Sequence, residues 1–164
     1  MTDKRLWELY IGYLYGHPLW IRSQQHSIEE DFKQLALLRD DVLTESYDDA
    51  VPDVAMDAIR ELVTQHGEAL SRPFNFLAES TMNDESNALY QFLLDFMVYG
   101  QSGRVFDKWY AAYVKSGHSA SFDRHLADGF SEKADAESEG RDLPDIMEQC
   151  RYHYHPDDTC YLDQ

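Results

Sequence analysis

The stretch Ser27-Ile28-Glu29-Glu30-Asp31-Phe32-Lys33-Gln34-Leu35-Ala36-Leu37-Leu38-Arg39-Asp40-Asp41-Val42-Leu43 carries two helix signals at once. Ser27 followed by Glu30 three residues later is a capping box, in which a hydroxyl and a carboxylate satisfy backbone N–H groups that a helix start leaves over. Beyond it, Ile28, Phe32, Leu35, Val42 and Leu43 recur at helical spacing and fall on one face. The segment is predicted to be helical, and Asp48-Asp49 closes it.

The same signals repeat downstream. Pro52, followed by Val54, Ala55, Ala58, Ile59, Leu62 and Val63, reads as a helix with proline in its first turn and Gly67 as its stop. Residues 68–82 read as a short helix or turn broken at Arg72-Pro73. Asn83 or Asp84 is expected to start a helix through Leu89, Phe92, Leu93, Phe96 and Met97, stopped at Gly100. Another carries Val105, Phe106, Trp109, Tyr110, Tyr113 and Val114 up to Gly117. Ser121 to Asp128 reads as a shorter one, with Phe122 and Leu126 inward. Upstream, residues 5–15 are dense in Leu, Trp and Tyr and suit a buried first helix ended by Gly16-His17-Pro18, or a short strand on residue composition alone.

From Ser131 to Asp142 acids abound and large apolar groups are missing, so the stretch reads as a solvated helix face or a flexible linker. Pro144 to Cys150 suggests a further helical turn or two before an irregular tail. The expected architecture is all-α: a single-domain helical bundle of about five to seven helices with an irregular C-terminal tail. Residues 1–130 would form the bundle, 131–142 an acidic linker-like segment, and 143–164 a short helix and tail packing back on it.

Composition narrows the function. Among 164 residues, 14 Lys and Arg face 31 Asp and Glu, for a net charge of -17. The excess runs along the whole chain: residues 1–50 carry five basic and ten acidic side chains, 51–100 two and eight, 101–164 seven and thirteen. Affinity for nucleic-acid phosphate and for anionic lipid comes largely from Lys and Arg, so neither DNA, RNA nor a membrane surface is an expected direct partner. A basic protein surface is.

The two cysteines, Cys150 and Cys160, are too few for a disulfide scaffold and read as reduced thiols. The N-terminal Met1-Thr2-Asp3-Lys4-Arg5 lacks the apolar run of a secretory signal. The longest mostly apolar uncharged run, Leu9 to Ile21, is too short and too broken to span a bilayer. A cytoplasmic location is expected.

Several chemistries have no sequence warrant. No Glu stands three residues before a His, as a di-iron bundle would need. The G-x-S-x-G elbow, the G-x-x-x-x-G-K-[ST] loop, the G-x-G-x-x-G turn and the calcium-loop pattern are all missing. One metal arrangement is worth stating. Cys150, His153, His155 and Cys160 offer thiolate and imidazole ligands of the kind tetrahedral zinc prefers, at a spacing, C-x2-H-x-H-x4-C, that matches no usual finger.

Two features point to binding instead. Acidic pairs recur at Glu29-Glu30, Asp40-Asp41, Asp48-Asp49 and Asp84-Glu85. Each is read as an ordinary solvated helix end or as part of a negative face that fits a phosphate-binding groove. Aromatic groups concentrate at Trp7, Tyr10, Tyr13, Tyr15 and Trp20 and at Trp109, Tyr110 and Tyr113; they are core or contact residues. The expected function is a non-enzymatic acidic binding protein of inhibitor or immunity type, docking on a basic protein surface and mimicking nucleic-acid phosphate in its sharpest form. No catalytic residue and no cofactor is expected. The alternatives are a small zinc protein using the C-terminal Cys/His set, or an oligomeric structural subunit.

Overall fold

The computed structural model describes residues 15, 27–45, 50–74, 87–100, 103–116, 120–148 and 150–153, with the backbone alone for 40–45 and 50. The described residues form five α-helices and one 3-10 turn, with no strand among them: α1 (Ile28–Glu45), α2 (Ala50–His66), α3 (Ala88–Tyr99), α4 (Gly103–Lys115) and α5 (Ala120–Glu139). The fold class is all-α, as the periodicity predicts. The helix expected over residues 5–15 lies outside the described residues except for Tyr15, which sits in a turn and is 81% exposed.

The chain divides into two compact units, Met1–Leu70 with Tyr152–Gln164, and Ser71–Arg151. In the first, Ser27 caps α1 as its hydroxyl spacing requires: the Glu30 amide donates to Ser27 Oγ at 3.2 Å, and the Asp31 amide to the Ser27 carbonyl at 3.0 Å. Glu30 Oε1 accepts from Gln34 Nε2 at 2.8 Å one turn on. Three acids in the first turn, Glu29, Glu30 and Asp31, face the positive end of the helix dipole.

α1 packs against α2. The joint core takes Phe32, Leu35, Ala36 and Leu38 from α1 and Val51, Ala55, Met56, Ile59, Leu62 and Val63 from α2. Each large apolar side chain buried this way is worth about 1.5–3 kcal/mol. Pro52 falls in the first turn of α2, where its missing N–H costs no helix bond. Gly67 opens a 3-10 turn to Ala69, and Leu70, fully buried, seals the end by donating its amide to the Gly67 carbonyl at 3.1 Å.

The second unit is built around α3. Seven of its twelve residues are buried (Leu89, Tyr90, Phe92, Leu93, Leu94, Met97, Val98), so it is apolar around most of its circumference. Its cap is Asn87, not Asn83 or Asp84: Asn87 Oδ1 accepts from the Leu89 amide at 2.9 Å. An Asn side chain can cap a helix as well as an Asp, and Asn87 is the one directly against the apolar run. α4 buries only Val105 and Trp109 and is an outer helix.

α5 is longer than the sequence suggests. It runs twenty residues to Glu139, so 131–139 is helix with solvated sides, not linker. It ends in a Schellman motif, with Gly140 at φ +66°, the Arg141 amide on the Ala136 carbonyl at 2.9 Å and the Gly140 amide on Glu137 at 3.4 Å. Its seat on α3 is close: a Cβ at Gly129 would lie 3.0 Å from Val98 Cγ2. Lys133 Nζ donates to the Val98 carbonyl at 3.0 Å, placing a cation on the negative end of α3. Residues 146–147 and 150–152 form turns, with the Met147 amide donating to Asp145 Oδ1 at 2.8 Å, where a helical turn or two was expected.

Phe74 holds this unit together. Its ring meets Tyr90, Trp109, Tyr113 and Phe122 edge-on, at centroid distances of 6.1, 6.2, 6.0 and 5.0 Å. Tyr113 stacks on Phe122 at 3.9 Å. Trp109 is therefore core, at 1% exposure, while Tyr110 and Tyr113 are half-buried.

Candidate functional site

Among the described residues, exposed carboxylates run along α5 and the segment after it. Asp128, Glu132, Asp135 and Glu139 follow at i, i+4, i+7 and i+11, which places them on one face of the helix. At 1.5 Å per residue they extend over about 16 Å. All four are exposed, as are Glu137, Asp142, Asp145 and Glu148. Two cations accompany them: Lys133 is turned onto the Val98 carbonyl, and Arg141 pairs with Glu139.

The stripe is anchored at its inner edge. Tyr99, at the end of α3, stands beside Glu132. Burial first, then the negative charges of Glu132 and Asp95, push the Tyr99 phenol above its ordinary value, while Arg151 pulls the other way. Arg151 Nη2 lies 3.2 Å from Asp95 Oδ2.

The sequence did not single out this face. Its acids are separated by three and four residues rather than paired, and the stretch lacked the large apolar groups by which a helix is recognised. Two signals were present: the 4-3-4 spacing itself, and Gly140 as a helix stop.

Of the acidic pairs expected to form a partner face, Glu29 is exposed and Glu30 partly so at the start of α1. Asp40 and Asp41 lie in α1, where the backbone alone is described. Asp48, Asp49, Asp84 and Glu85 lie outside the described residues.

Of the C-terminal Cys/His set, Cys150 and His153 are described. Cys150 is disulfide-bonded, contrary to the reduced thiols expected, and so has no thiolate to give a metal. It adopts φ +65°, a left-handed conformation that costs a non-glycine residue energy. His153 is turned to a carboxylate: its side chain is fully buried, and Nε2 lies 2.8 Å from Asp57 Oδ1. Arg60 Nη1 reaches the same oxygen at 2.8 Å, with its guanidinium 5.6 Å from the centre of the Tyr152 ring. His155 and Cys160 lie outside the described residues. Among the described residues no group of three or more His, Cys, Asp or Glu is placed to hold a metal ion, and no helix is long and apolar enough to cross a membrane.

The buried polar network of Asp57, Arg60, Tyr152 and His153 is a docking point for the C-terminal segment on α2. No protein-family model matches this sequence, and no curated protein or solved structure matches it either.

Proposed function

We propose that this chain is a non-enzymatic acidic binding protein, an inhibitor or antagonist type of factor that docks on a basic surface of a protein target. The observation that supports this most directly is the exposed face Asp128, Glu132, Asp135 and Glu139 on one helix. Four carboxylates fixed on a helix meet a basic patch with little side-chain ordering beyond their own rotamers. The chain's net charge of -17 adds long-range steering, which speeds association and weakens as salt rises. In its sharper form, the stripe occupies a groove that otherwise accepts nucleic-acid phosphate.

The test is capture on immobilised protein from a nuclease-treated lysate, eluted by a salt step, beside a variant carrying Asp128→Asn, Glu132→Gln, Asp135→Asn and Glu139→Gln. One basic protein should be retained at low salt, released as salt rises, and lost from the variant. Retention that ignores salt, or survives neutralisation of all four carboxylates, would count against the proposal.

A further inference from the structure

Across α4 and α5, three aromatic rings form a small, partly exposed cluster. Phe106 and Tyr110 lie one turn apart with planes 8° from parallel and centroids 5.6 Å apart. Phe130 meets Phe106 edge-on at 5.4 Å and 80°. Phe130 is 38% exposed, and Phe106 and Tyr110 are half-buried, so the rings reach solvent while the Phe74 cluster fills the core.

Carboxylates stand beside this cluster, and Lys133, one turn after Phe130, carries its amine to the Val98 carbonyl. Asp107 is exposed one turn before Tyr110, and Glu137 is exposed two turns after Phe130 on the same side of α5. The cations of α4 closest in sequence, Arg104 and Lys108, each stand two residues from Phe106 and so fall on the opposite side of the helix. Ring faces with carboxylates at their rim suit one side-chain chemistry above others. A guanidinium is planar, stacks on a ring, is weakly hydrated, and pairs with carboxylates through its fork of N–H groups. A lysine ammonium offers only the point charge.

We infer that the Phe106, Tyr110 and Phe130 cluster, rimmed by Asp107 and Glu137, is a docking point for arginine side chains presented by a basic protein partner. This rests on the binding function proposed above and names the chemistry that the partner would present. A second copy of the chain is a poor occupant, because two molecules of charge -17 repel.

The experiment titrates the intact protein into fluorescently labelled oligoarginine and oligolysine peptides of equal length at low salt, reading anisotropy. Oligoarginine should bind about three-fold more tightly or better, as expected of ring contacts at a partly exposed site. Phe130→Leu should erase that preference while Phe130→Tyr keeps it. Unchanged helicity by circular dichroism shows that both variants fold. If both peptides bind equally and salt-dependently, or Phe130→Leu leaves the preference intact, the docking point is overturned and the acidic-binder reading stands. If neither peptide binds at low salt, both fall. A concentration-dependent mass that Phe130→Leu abolishes would assign the cluster to self-association and overturn the inference.

Discussion

His153 Nε2 lies 2.8 Å from Asp57 Oδ1, joining residues 96 positions apart, and the same oxygen takes Arg60 Nη1 at 2.8 Å. The His153 side chain is fully buried and that of Arg60 is 4% exposed, whereas Asp57 retains 30%. One carboxylate thus ties the start of the C-terminal tail to α2. Asp57→Ala should cost about 2 kcal/mol, below the value for a fully buried pair because Asp57 still meets water. Urea unfolding followed by circular dichroism measures it. A loss under about 0.5 kcal/mol would place the pair among surface ion pairs of little weight.

Phe74 predicts a larger effect. It is 3% exposed and sits edge-on to four rings from three helices. Phe74→Ala should destabilise by about 3–5 kcal/mol through lost contact and the cavity left behind, and Phe74→Leu by less than half of that. Near-ultraviolet circular dichroism should weaken in parallel, because Trp109 loses a ring neighbour. Equal costs for the two substitutions would contradict the packing described.

The Schellman end of α5 makes a smaller prediction. Gly140 holds φ +66° with open space around it, so Gly140→Ala meets no clash and only backbone strain. The expected loss is about 1 kcal/mol. Gly140→Asn should recover part of it, since Asn tolerates the left-handed region. Identical stabilities for Ala and Asn at this position would argue against the left-handed turn.

Tyr99 carries a pH dependence whose sign is fixed. Its pKa in the folded chain is raised, chiefly by burial and then by Glu132 and Asp95. A raised folded pKa means a stability contribution present below the unfolded value of 10.0 and lost as pH rises through the folded one. The difference in phenolate absorbance between the parent protein and Tyr99→Phe should therefore titrate above 10.0. Glu132→Gln should bring that titration down only part of the way, because burial remains. A Tyr99 titration at or below 10.0 would refute the environment assigned to it.

Thiol chemistry separates the structure from the sequence-based expectation directly. With Cys150 disulfide-bonded, a thiol-reactive dye should leave Cys150 unlabelled under denaturing, non-reducing conditions. After reduction by a dithiol it should label both cysteines. Labelling before reduction would restore the thiols that the zinc reading requires.

The helices were legible wherever a short-range signal existed. Ser27 capping α1, Pro52 in the first turn of α2 and Gly100 after α3 each act through backbone groups within a few residues, so local residue identity is enough. The start of α3 was misplaced because Asn83, Asp84 and Asn87 are all competent caps, and the choice between them is not local. The extension of α5 stayed open between a solvated helix face and a linker because a helix that buries only Ala136 beyond Leu126 shows almost no apolar period. Gly129 against Val98 and Lys133 on the Val98 carbonyl hold it to α3, contacts made with residues some thirty positions earlier.

The sequence by itself determined the helical class, most helix ends and the net charge, because caps, periodicity and charge are properties of neighbouring residues. The tertiary structure decided which acids share a face, that Phe74 lies at the centre of a ring cluster, and that His153 meets Asp57. Those outcomes depend on how distant segments pack, and packing is set by shape and burial summed over the chain rather than by any short motif.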